Sequence, residues 1–147
     1  MHYRLLCVGR RARDPFLDLA DDYRTRLTRH TRTEIVRVRD GSLAEERERL
    51  MKLVGARDRV IALDERGDQL STRELALWVS RWQQEGIATV TFLIGGADGL
   101  HPDLKAKAAR TLALSRLTLP HRLALVLLLE QLYRAHSLLR GEPYHRD

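Results

Sequence analysis

LIGGADGLH, residues 93–101, joins an apolar segment to a segment that begins with proline, and its glycines at positions 95, 96 and 99 decide how the rest of the chain is interpreted. Glycine adopts positive φ easily and allows a flat ligand to approach the backbone closely. The GGxxG spacing differs from the phosphate-binding loop, which continues into Gly-Lys-Ser or Gly-Lys-Thr, and from the dinucleotide-binding pattern GxGxxG. By itself, the motif predicts a tight turn from a strand into a helix.

Apolar and amphipathic segments alternate along the chain on either side of this turn. Strands are predicted at residues 3–9, 33–40, 58–64, 88–95 and 111–119. Helices are predicted at residues 15–30, 42–55, 71–86, 102–110 and 121–141. Regular alternation of this kind predicts an α/β fold with a mainly parallel sheet and helices on both of its faces. The 147 residues are expected to form one domain, residues 1–147, since a domain of this length can bury a substantial core.

Three of the predicted strands end in loops that contain turn-forming residues: LDERGD (63–68), LIGGADGLH and LTLPH (117–121). In a parallel sheet these loops share one edge, where α/β proteins bind their ligands. Their backbone amide and carbonyl groups suit the edge of a heterocycle, and leucines at positions 63, 114, 117 and 119 suit its faces. The arrangement fits adenine rather than a dinucleotide, because no acidic residue stands about 20 positions beyond the glycines to bind a ribose.

The chain is basic, with a net charge of +6 and an isoelectric point near 10.1. All but three of its 26 basic residues are arginine, the exceptions being Lys52, Lys105 and Lys107. Arginine binds phosphate through paired N–H groups and stacks on bases, but a genome rich in G and C would produce the same ratio of arginine to lysine. The excess of positive charge is a separate observation, and it favours a nucleic acid as the partner.

Several classes of protein are excluded by simple counts. The single cysteine, Cys7, cannot form an intramolecular disulfide, and its apolar neighbours indicate a buried side chain. The histidines show no spacing typical of a zinc site, so no metal is expected. The longest apolar run, residues 123–129, is far shorter than the ~20 residues that span a bilayer, and no signal peptide is visible. A soluble, cytoplasmic protein with no membrane partner is therefore expected.

The predicted helix 121–141 is apolar almost all round over residues 123–129. Such a helix is buried either in the core of its own chain or against another subunit. We favour a homodimer interface, because a chain of this length has few places that would bury a helix completely. A two-fold interface at this helix would also allow the C-terminal segment GEPYHRD, residues 141–147, to reach the loops of the partner.

The end of the chain carries side chains suited to holding a nucleic-acid substrate. Tyr144 is expected to stack on a base, and Arg134 and Arg146 are expected to bind phosphate. His145 is expected to orient or deprotonate a ring nitrogen, since histidine titrates near neutral pH. Each of these residues also has an ordinary interpretation as a surface side chain without a role, and residue type alone favours that interpretation.

Three stretches together, LIGGADGLH, LSRLTLPH (114–121) and LEQLYRAHSLLRGEPYHRD (129–147), resemble the SPOUT-class methyltransferases that modify bacterial large-subunit ribosomal RNA. The resemblance extends from VGR (8–10) to the final YHR. It implies the SPOUT fold with a C-terminal trefoil knot, S-adenosylmethionine as the cofactor, and a homodimer. It further implies methylation of N3 of a pseudouridine in 23S rRNA, with the C-terminal tail completing the active site across the dimer interface.

By position in these motifs, the resemblance places the cofactor-binding residues in three loops. They are Leu63, Gly95, Leu114, Ser115, Arg116, Leu117, Thr118 and Leu119. The chain departs from the family at Leu125, where an arginine is common. Arg122, one turn earlier, is then expected to replace a phosphate contact.

Two other functions stay open at this point. A non-catalytic RNA-binding protein that acts in ribosome assembly would also be basic, and a SPOUT methyltransferase with a tRNA substrate would share the same fold. The GGxxG and LTLPH loops favour an enzyme over the assembly factor, because a protein that only binds RNA needs no adenosine pocket.

Overall fold

A computed structural model of the chain describes residues 1–10 and 12–146. Along these residues strands and helices alternate in the predicted order, which confirms the α/β fold class. The strands are β1 (His2–Val8), β2 (Arg32–Val38), β3 (Arg59–Gln69), β4 (Thr89–Ile94) and β5 (Arg110–Ala113). The helices are α1 (Pro15–Thr28), α2 (Leu43–Met51), α3 (Thr72–Gln84), α4 (Pro102–Lys107) and α5 (His121–Leu139).

The strands form one sheet in the order β2-β1-β4-β3-β5, and every neighbouring pair is parallel. In the centre of the sheet, Leu5 of β1 lies opposite Ile35 of β2 on one side and Phe92 of β4 on the other. Because all strands run the same way, their carboxyl ends meet at a single edge. The loops that follow β3, β4 and β5 are therefore neighbours in space.

Helices cover both faces of the sheet, as predicted. Tyr3 and Leu5 of β1 pack on one face with α1, α3 and α5. Leu6 and Val8, which point the other way because strand side chains alternate, pack with α2 and α4 on the second face. The central strands are thus buried on both sides, which explains why their sequences read as continuous apolar runs.

Local signals in the sequence set the starts of three helices. The side chains of Ser42 and Ser71 each accept a hydrogen bond from the backbone three residues on, and each forms a complete capping box with Glu45 or Glu74. Asp14 caps α1, where its carboxylate accepts from the N–H of Phe16 at 2.8 Å. These caps fix where each helix leaves the sheet edge.

The predicted strand 111–119 is shorter in the structure and ends at Ala113. The cause lies in β3, which continues to Gln69 with a shift of register between Leu63 and Asp68 against β5. At this irregularity the backbones come so close that a Cβ on Gly67 would lie 2.6 Å from the carbonyl oxygen of Thr111. Beyond β5 the chain turns, because the hydroxyl of Ser115 accepts a hydrogen bond from the N–H of Leu117 at 2.9 Å. Residues 114–119 therefore form a loop.

Most of the apolar surface of α5 is used by the core of its own chain. Leu125 is 2% exposed and Leu128 and Leu129 are fully buried, between α1 and α3 on one face of the sheet. Leu123 and Leu127, on the outer side of the helix, are only half-buried. Most of the apolar side chains that indicated an interface are thus buried by the chain itself. Only a smaller stripe of half-buried side chains faces outward.

Candidate functional site: a cavity at the carboxyl edge of the sheet

The irregular part of β3 at residues 63–66, the loop after β4 and the start of α5 line an open cavity of about 480 Å³, which we call the edge cavity. Its size falls within the range of ~300–1,000 Å³ that is usual for small-molecule sites. Its position, beyond the ends of parallel strands, is the one expected for ligand binding in an α/β fold. The edge cavity is therefore the candidate cofactor site.

The structure brings together some of the residues predicted to bind a cofactor. Leu63, Gly95, Thr118 and Leu119 line the edge cavity. The others of the set, residues 114–117, do not: Leu114 lines a separate cavity beside α3 and α5, and Leu117 is 73% exposed. Ser115 is half-buried and Arg116 is exposed. The roles of all these residues in binding stay predictions.

The glycine motif forms the tight turn that its sequence predicted. Gly99 has φ of 75°, and its N–H donates a hydrogen bond to the carbonyl of Gly96 at 3.1 Å. The turn folds back on Gly95 so closely that a Cβ there would lie 2.4 Å from the carbonyl carbon of Gly99. Glycine at position 95 is thus required by the backbone of the loop itself, and this loop forms one wall of the cavity.

The rim of the edge cavity carries carboxylates that the sequence analysis did not assign. Asp64 accepts a hydrogen bond from Lys105 at 2.8 Å, and Glu65 accepts one from Thr118 at 2.7 Å. Burial opposes ionisation of Asp64, but the hydrogen bonds from Lys105 and from the N–H of Arg66 outweigh it and hold the pKa of this carboxyl below its usual value. The signal for these residues was present in LDERGD, where two acidic side chains directly follow a buried strand.

His121 is the first residue of α5 and also lines the edge cavity. Its imidazole lies against Gly9, where a Cβ would be 3.4 Å from Nε2. Burial, and then the positive charge of Arg122, lower the pKa of His121, so the ring is neutral at pH 7. From sequence alone this residue was interpreted as a helix start, and the structure gives it a place at the cavity as well.

The C-terminal tail is folded onto α5 of its own chain. The hydroxyl of Tyr144 donates a hydrogen bond to Oε1 of Glu130 at 3.0 Å, and its ring packs edge-on against Tyr133 with centroids 4.7 Å apart. The guanidinium carbon of Arg134 lies 4.6 Å from the centre of the Tyr144 ring, and Nε of Arg134 donates to Glu130 at 2.9 Å. Tyr144 and Arg134, two of the predicted substrate-holding residues, are therefore neighbours.

Burial, hydrogen bonding with Tyr23 and the negative charge of Glu130 raise the pKa of Tyr144, so its side chain stays a neutral phenol. His145 is half-buried and Arg146 is exposed, and Asp147 lies outside the described residues. A neutral phenol suits stacking on a base.

The tail and the edge cavity are far apart within one chain. None of residues 141–146 lines the cavity. Since a helix rises ~1.5 Å per residue, Glu130, to which the tail is bound, lies about 14 Å further along α5 than His121. In this arrangement the chain does not complete its own cavity with its own tail.

Residues 1–10 and 12–146 contain neither a membrane-spanning helix nor a cluster of metal-binding side chains. No helix there combines the length and the apolar character needed to cross a bilayer. The His, Cys, Asp and Glu side chains of the same residues form no group of three or more that could hold a metal ion.

Comparison with known proteins gives a consistent result over nearly the whole chain. The family model described as "Predicted SPOUT methyltransferase" matches residues 1–145. A protein of Anaeromyxobacter dehalogenans strain 2CP-1 named Ribosomal RNA large subunit methyltransferase H is 46% identical over 154 residues, covering 99% of this chain and 100% of that protein. A protein of the same name from Polynucleobacter asymbioticus is 44% identical over 148 residues and covers 100% of both chains.

Solved structures resemble the fold at low sequence identity. A probable methyltransferase from Bordetella pertussis Tohama I has a TM-score of 0.60 and 13% identity, covering 92% of this chain and 96% of that chain. A probable methylase family protein from Haemophilus influenzae Rd KW20 has a TM-score of 0.57 and 13% identity, covering 99% of this chain and 70% of that chain. At this identity the likeness concerns the fold alone.

Proposed function

The chain belongs to the SPOUT methyltransferase family, and we propose that it uses S-adenosylmethionine to methylate N3 of a pseudouridine in 23S rRNA. The names of the curated relatives support large-subunit ribosomal RNA as the substrate. The net charge of +6 supports a nucleic-acid partner independently. The proposal includes one SPOUT domain over residues 1–147, a C-terminal trefoil knot and a cytoplasmic location, where ribosomal RNA is found.

The edge cavity is the observation that carries the proposal. Its glycine loop and Leu63 and Leu119 offer close backbone approach and apolar contact to an adenosine. Among the described residues, the lining carries three carboxylates, Asp64, Glu65 and Asp98, against two cations, Arg66 and Lys105. This excess of negative charge favours a ligand that carries positive charge, such as a sulfonium. We propose that Leu63, Gly95 and residues 114–119 hold the cofactor, with the outer part of the last loop moving onto it.

The chemistry required of the protein is modest. S-adenosylmethionine, when bound, supplies a methyl group that is already activated by its sulfonium. The side chains then have to orient N3 of the substrate toward that methyl group, and orientation of this kind is worth several kcal/mol, up to roughly 7–11 in ideal cases. Methylation replaces the N3 proton, which must pass to an acceptor. We propose His145 for this role, with the neutral His121 at the cavity as the alternative.

A homodimer explains how the tail reaches a cofactor cavity. Leu123, Leu127, Glu130 and Arg134 follow one another at helical spacing and form a half-buried stripe on the outer side of α5. Two copies that pack these stripes antiparallel about a two-fold axis near Leu127 would place Arg134 of each beside Pro120 of the other. Within one chain the tail and the cavity are separated by about 14 Å, at about 1.5 Å per residue of helix. In this dimer the tail of one chain would instead lie beside the cavity of the other.

Tyr144, Arg134 and Arg146 of one copy would in this way hold the RNA over the edge cavity of the other. Phe16 and Leu19 on α1 are 40% and 44% exposed and would extend the same interface. Exposed apolar side chains beside a half-buried stripe favour association between copies.

The test begins with calorimetry of S-adenosylmethionine binding to the purified protein. Transfer of a labelled methyl group is then measured on 70S ribosomes, separate subunits, free 23S rRNA and tRNA, and the product nucleoside is identified by mass spectrometry. N3-methylpseudouridine in 23S rRNA is the expected product. Transfer to tRNA alone would support the tRNA enzyme, and RNA binding without cofactor binding would support the assembly factor.

A further inference from the structure

A second, much narrower opening lies beside the edge cavity, at the carboxyl ends of β1 and β2. Its volume is only about 10 Å³, so an anion would lie at its mouth and not inside it. It is rimmed by three arginines, and we call it the arginine crevice. Its lining includes Cys7, Gly9, Arg10, Arg37, His121 and Arg122. His121 lines both the crevice and the edge cavity, so the two openings share this side chain.

Arg37 is the unusual member of this group. It lies on β2 opposite Cys7 of β1 and is half-buried on the face covered by α1 and α5. Its Nη2 is shielded from solvent and makes no hydrogen bond to any described residue. A shielded guanidinium nitrogen without an acceptor is costly, because the lost hydration is not replaced.

The neighbours of Arg37 do not balance its charge. Burial raises the pKa of the Cys7 thiol to about 12 even though the positive charge of Arg37 opposes this, so the thiol stays neutral. No carboxylate in the described chain forms an ion pair with Arg37. The group therefore lacks an anionic partner among residues 1–10 and 12–146.

The other charges at the crevice leave an excess of positive charge. Arg122 is paired with Asp14, the N-cap of α1, while Arg10 is exposed and has no ion pair among the described residues. The negative charge of Glu46 also acts on His121 at this edge, but Glu46 belongs to α2 on the opposite face and accepts from the N–H of Gly41 at 3.0 Å. Two of the three arginines thus remain available to one anion.

We propose that the arginine crevice binds a phosphate of the RNA backbone adjacent to the nucleotide being methylated, with Arg37 and Arg10 as its ligands. The proposal rests on the proposed function, because it places the target nucleotide over the edge cavity on the other side of His121. A guanidinium group offers two parallel N–H donors to phosphate oxygens. Nη2 of Arg37 has no acceptor among the described residues, so a rotation of this side chain toward the mouth of the crevice would give it a phosphate oxygen at no loss of an existing hydrogen bond.

The test measures how tightly a fluorescein-labelled synthetic RNA hairpin, carrying the 23S rRNA sequence around the methylated nucleotide, binds to the full chain at several salt concentrations. Arg10→Gln and Arg37→Gln are compared with Arg57→Gln, which removes an exposed charge at the opposite edge of the sheet. We expect Arg10→Gln and Arg37→Gln each to weaken binding about tenfold and to lower the slope of log K against log salt by about 1. Arg57→Gln should leave the slope unchanged.

Equal slopes for all three variants and the parent would overturn the proposal. Arg10 is exposed, so its variant tests the crevice even if Arg37→Gln unfolds, which thermal unfolding would reveal. A separate titration with inorganic phosphate, followed through the arginine Nε–H signals by NMR, distinguishes free phosphate from RNA. If inorganic phosphate shifts the Arg37 signal while both variants bind the hairpin like the parent, the crevice holds free anions only and the proposal is wrong.

The outcome can be separated from that of the proposed function. Calorimetry with S-adenosylmethionine should give the same affinity for the parent and for both crevice variants, since neither arginine lines the edge cavity. Absence of cofactor binding in the parent would contradict the enzyme function. The RNA-binding measurements could still be interpreted in that case. Normal cofactor binding with unchanged salt slopes would contradict the crevice alone.

Discussion

Tyr144 donates a hydrogen bond to Glu130 at 3.0 Å, and Arg134, which also donates to Glu130, lies under the ring of Tyr144. Tyr144 is therefore held in a defined position, and this position is on the outer side of α5. Glu130 organises two of the side chains that we assign to the substrate, while being itself remote from the edge cavity.

Deletion of residues 144–147 should abolish methyl transfer. The affinity for S-adenosylmethionine should stay within about twofold of the parent, because a tenfold loss would require the removal of contacts worth about 1.4 kcal/mol. The reason is positional, because the tail lies outside the edge cavity. Calorimetry measures the cofactor affinity, and incorporation of labelled methyl into 23S rRNA measures the activity. Tyr144→Ala alone should lower activity about ten- to a hundredfold, as expected for loss of one base–aromatic stack. Retained activity in the deletion variant would remove the tail from the active site.

Subunit mixing tests whether the tail acts on a partner. The tail-deleted chain is combined with a chain that carries Gly95→Ala. The cofactor is kept at a concentration too low for the Gly95→Ala chain to bind it, so that each chain is inactive alone. A heterodimer would join the intact cavity of the first chain to the intact tail of the second, so up to one active site per dimer should return. Confirmed heterodimers that stay inactive would contradict action across the interface.

Gly95→Ala should reduce affinity for S-adenosylmethionine at least tenfold, about 1.4 kcal/mol. The added Cβ would lie 2.4 Å from the carbonyl carbon of Gly99, so the loop would have to move away from its present path. Gly86→Ala is the matched control, because Gly86 has φ of 68° in open space after α3. It should cost about 1 kcal/mol of stability and leave cofactor affinity unchanged. An unaltered affinity in Gly95→Ala would show that the cofactor binds elsewhere.

Leu127→Glu should produce a folded monomer without methyltransferase activity, because Leu127 lies on the half-buried outer stripe of α5. Leu128→Glu should instead unfold the chain, since Leu128 is fully buried in the core and a buried charge costs several kcal/mol. Light scattering gives the oligomeric state and circular dichroism the folding. A monomeric parent at micromolar concentration, or a dimeric Leu127→Glu, would contradict the proposed interface.

The free energy of unfolding should fall as the pH is lowered from 6.5 toward 4. Burial, and then the positive charges of His30 and Arg140, lower the pKa of His136 to about 4 from its usual 6.5. Between these values the unfolded chain binds a proton that the folded chain does not, so stability decreases by about 1.4 kcal/mol per pH unit for this group. The folded state keeps the ring within 2.8 Å of the hydroxyl of Tyr3.

Urea unfolding at a series of pH values measures this dependence. His136→Gln, which can still bond to Tyr3 and does not titrate, should show a flatter profile over the same range. An identical pH profile in this variant and the parent would mean that His136 is already protonated in the folded chain.

Much of the fold was predictable because it depends on patterns within short segments. Apolar runs, capping boxes at Ser42 and Ser71, and the glycines of residues 95–99 each act over a few residues, and the order of elements follows from them. The early end of β5 was not predictable, because it depends on the irregularity in β3 at Gly67, a residue distant in sequence.

The sequence predicts at which edge of the sheet the candidate site lies. It does not predict which side chains contact one another there. The pairing of Asp64 with Lys105 joins residues from different elements. Nothing in the local pattern around His136 indicated that it would be buried against Tyr3. The position of the tail likewise depends on its hydrogen bond to Glu130. Glu130 is placed by α5, so the sequence of the tail itself does not reveal this contact.

The helix α5 begins at the edge cavity with His121 and carries Glu130 and Arg134 on its outer stripe. One inserted or deleted residue between His121 and Glu130 would rotate that stripe by about 100° relative to the cavity and shift it by about 1.5 Å. The buried leucines of the inner side would turn outward by the same angle. The fold therefore accommodates a substitution on the outer side of α5 far more easily than any change in its length, and variation in chain length has to be confined to loops such as residues 39–42.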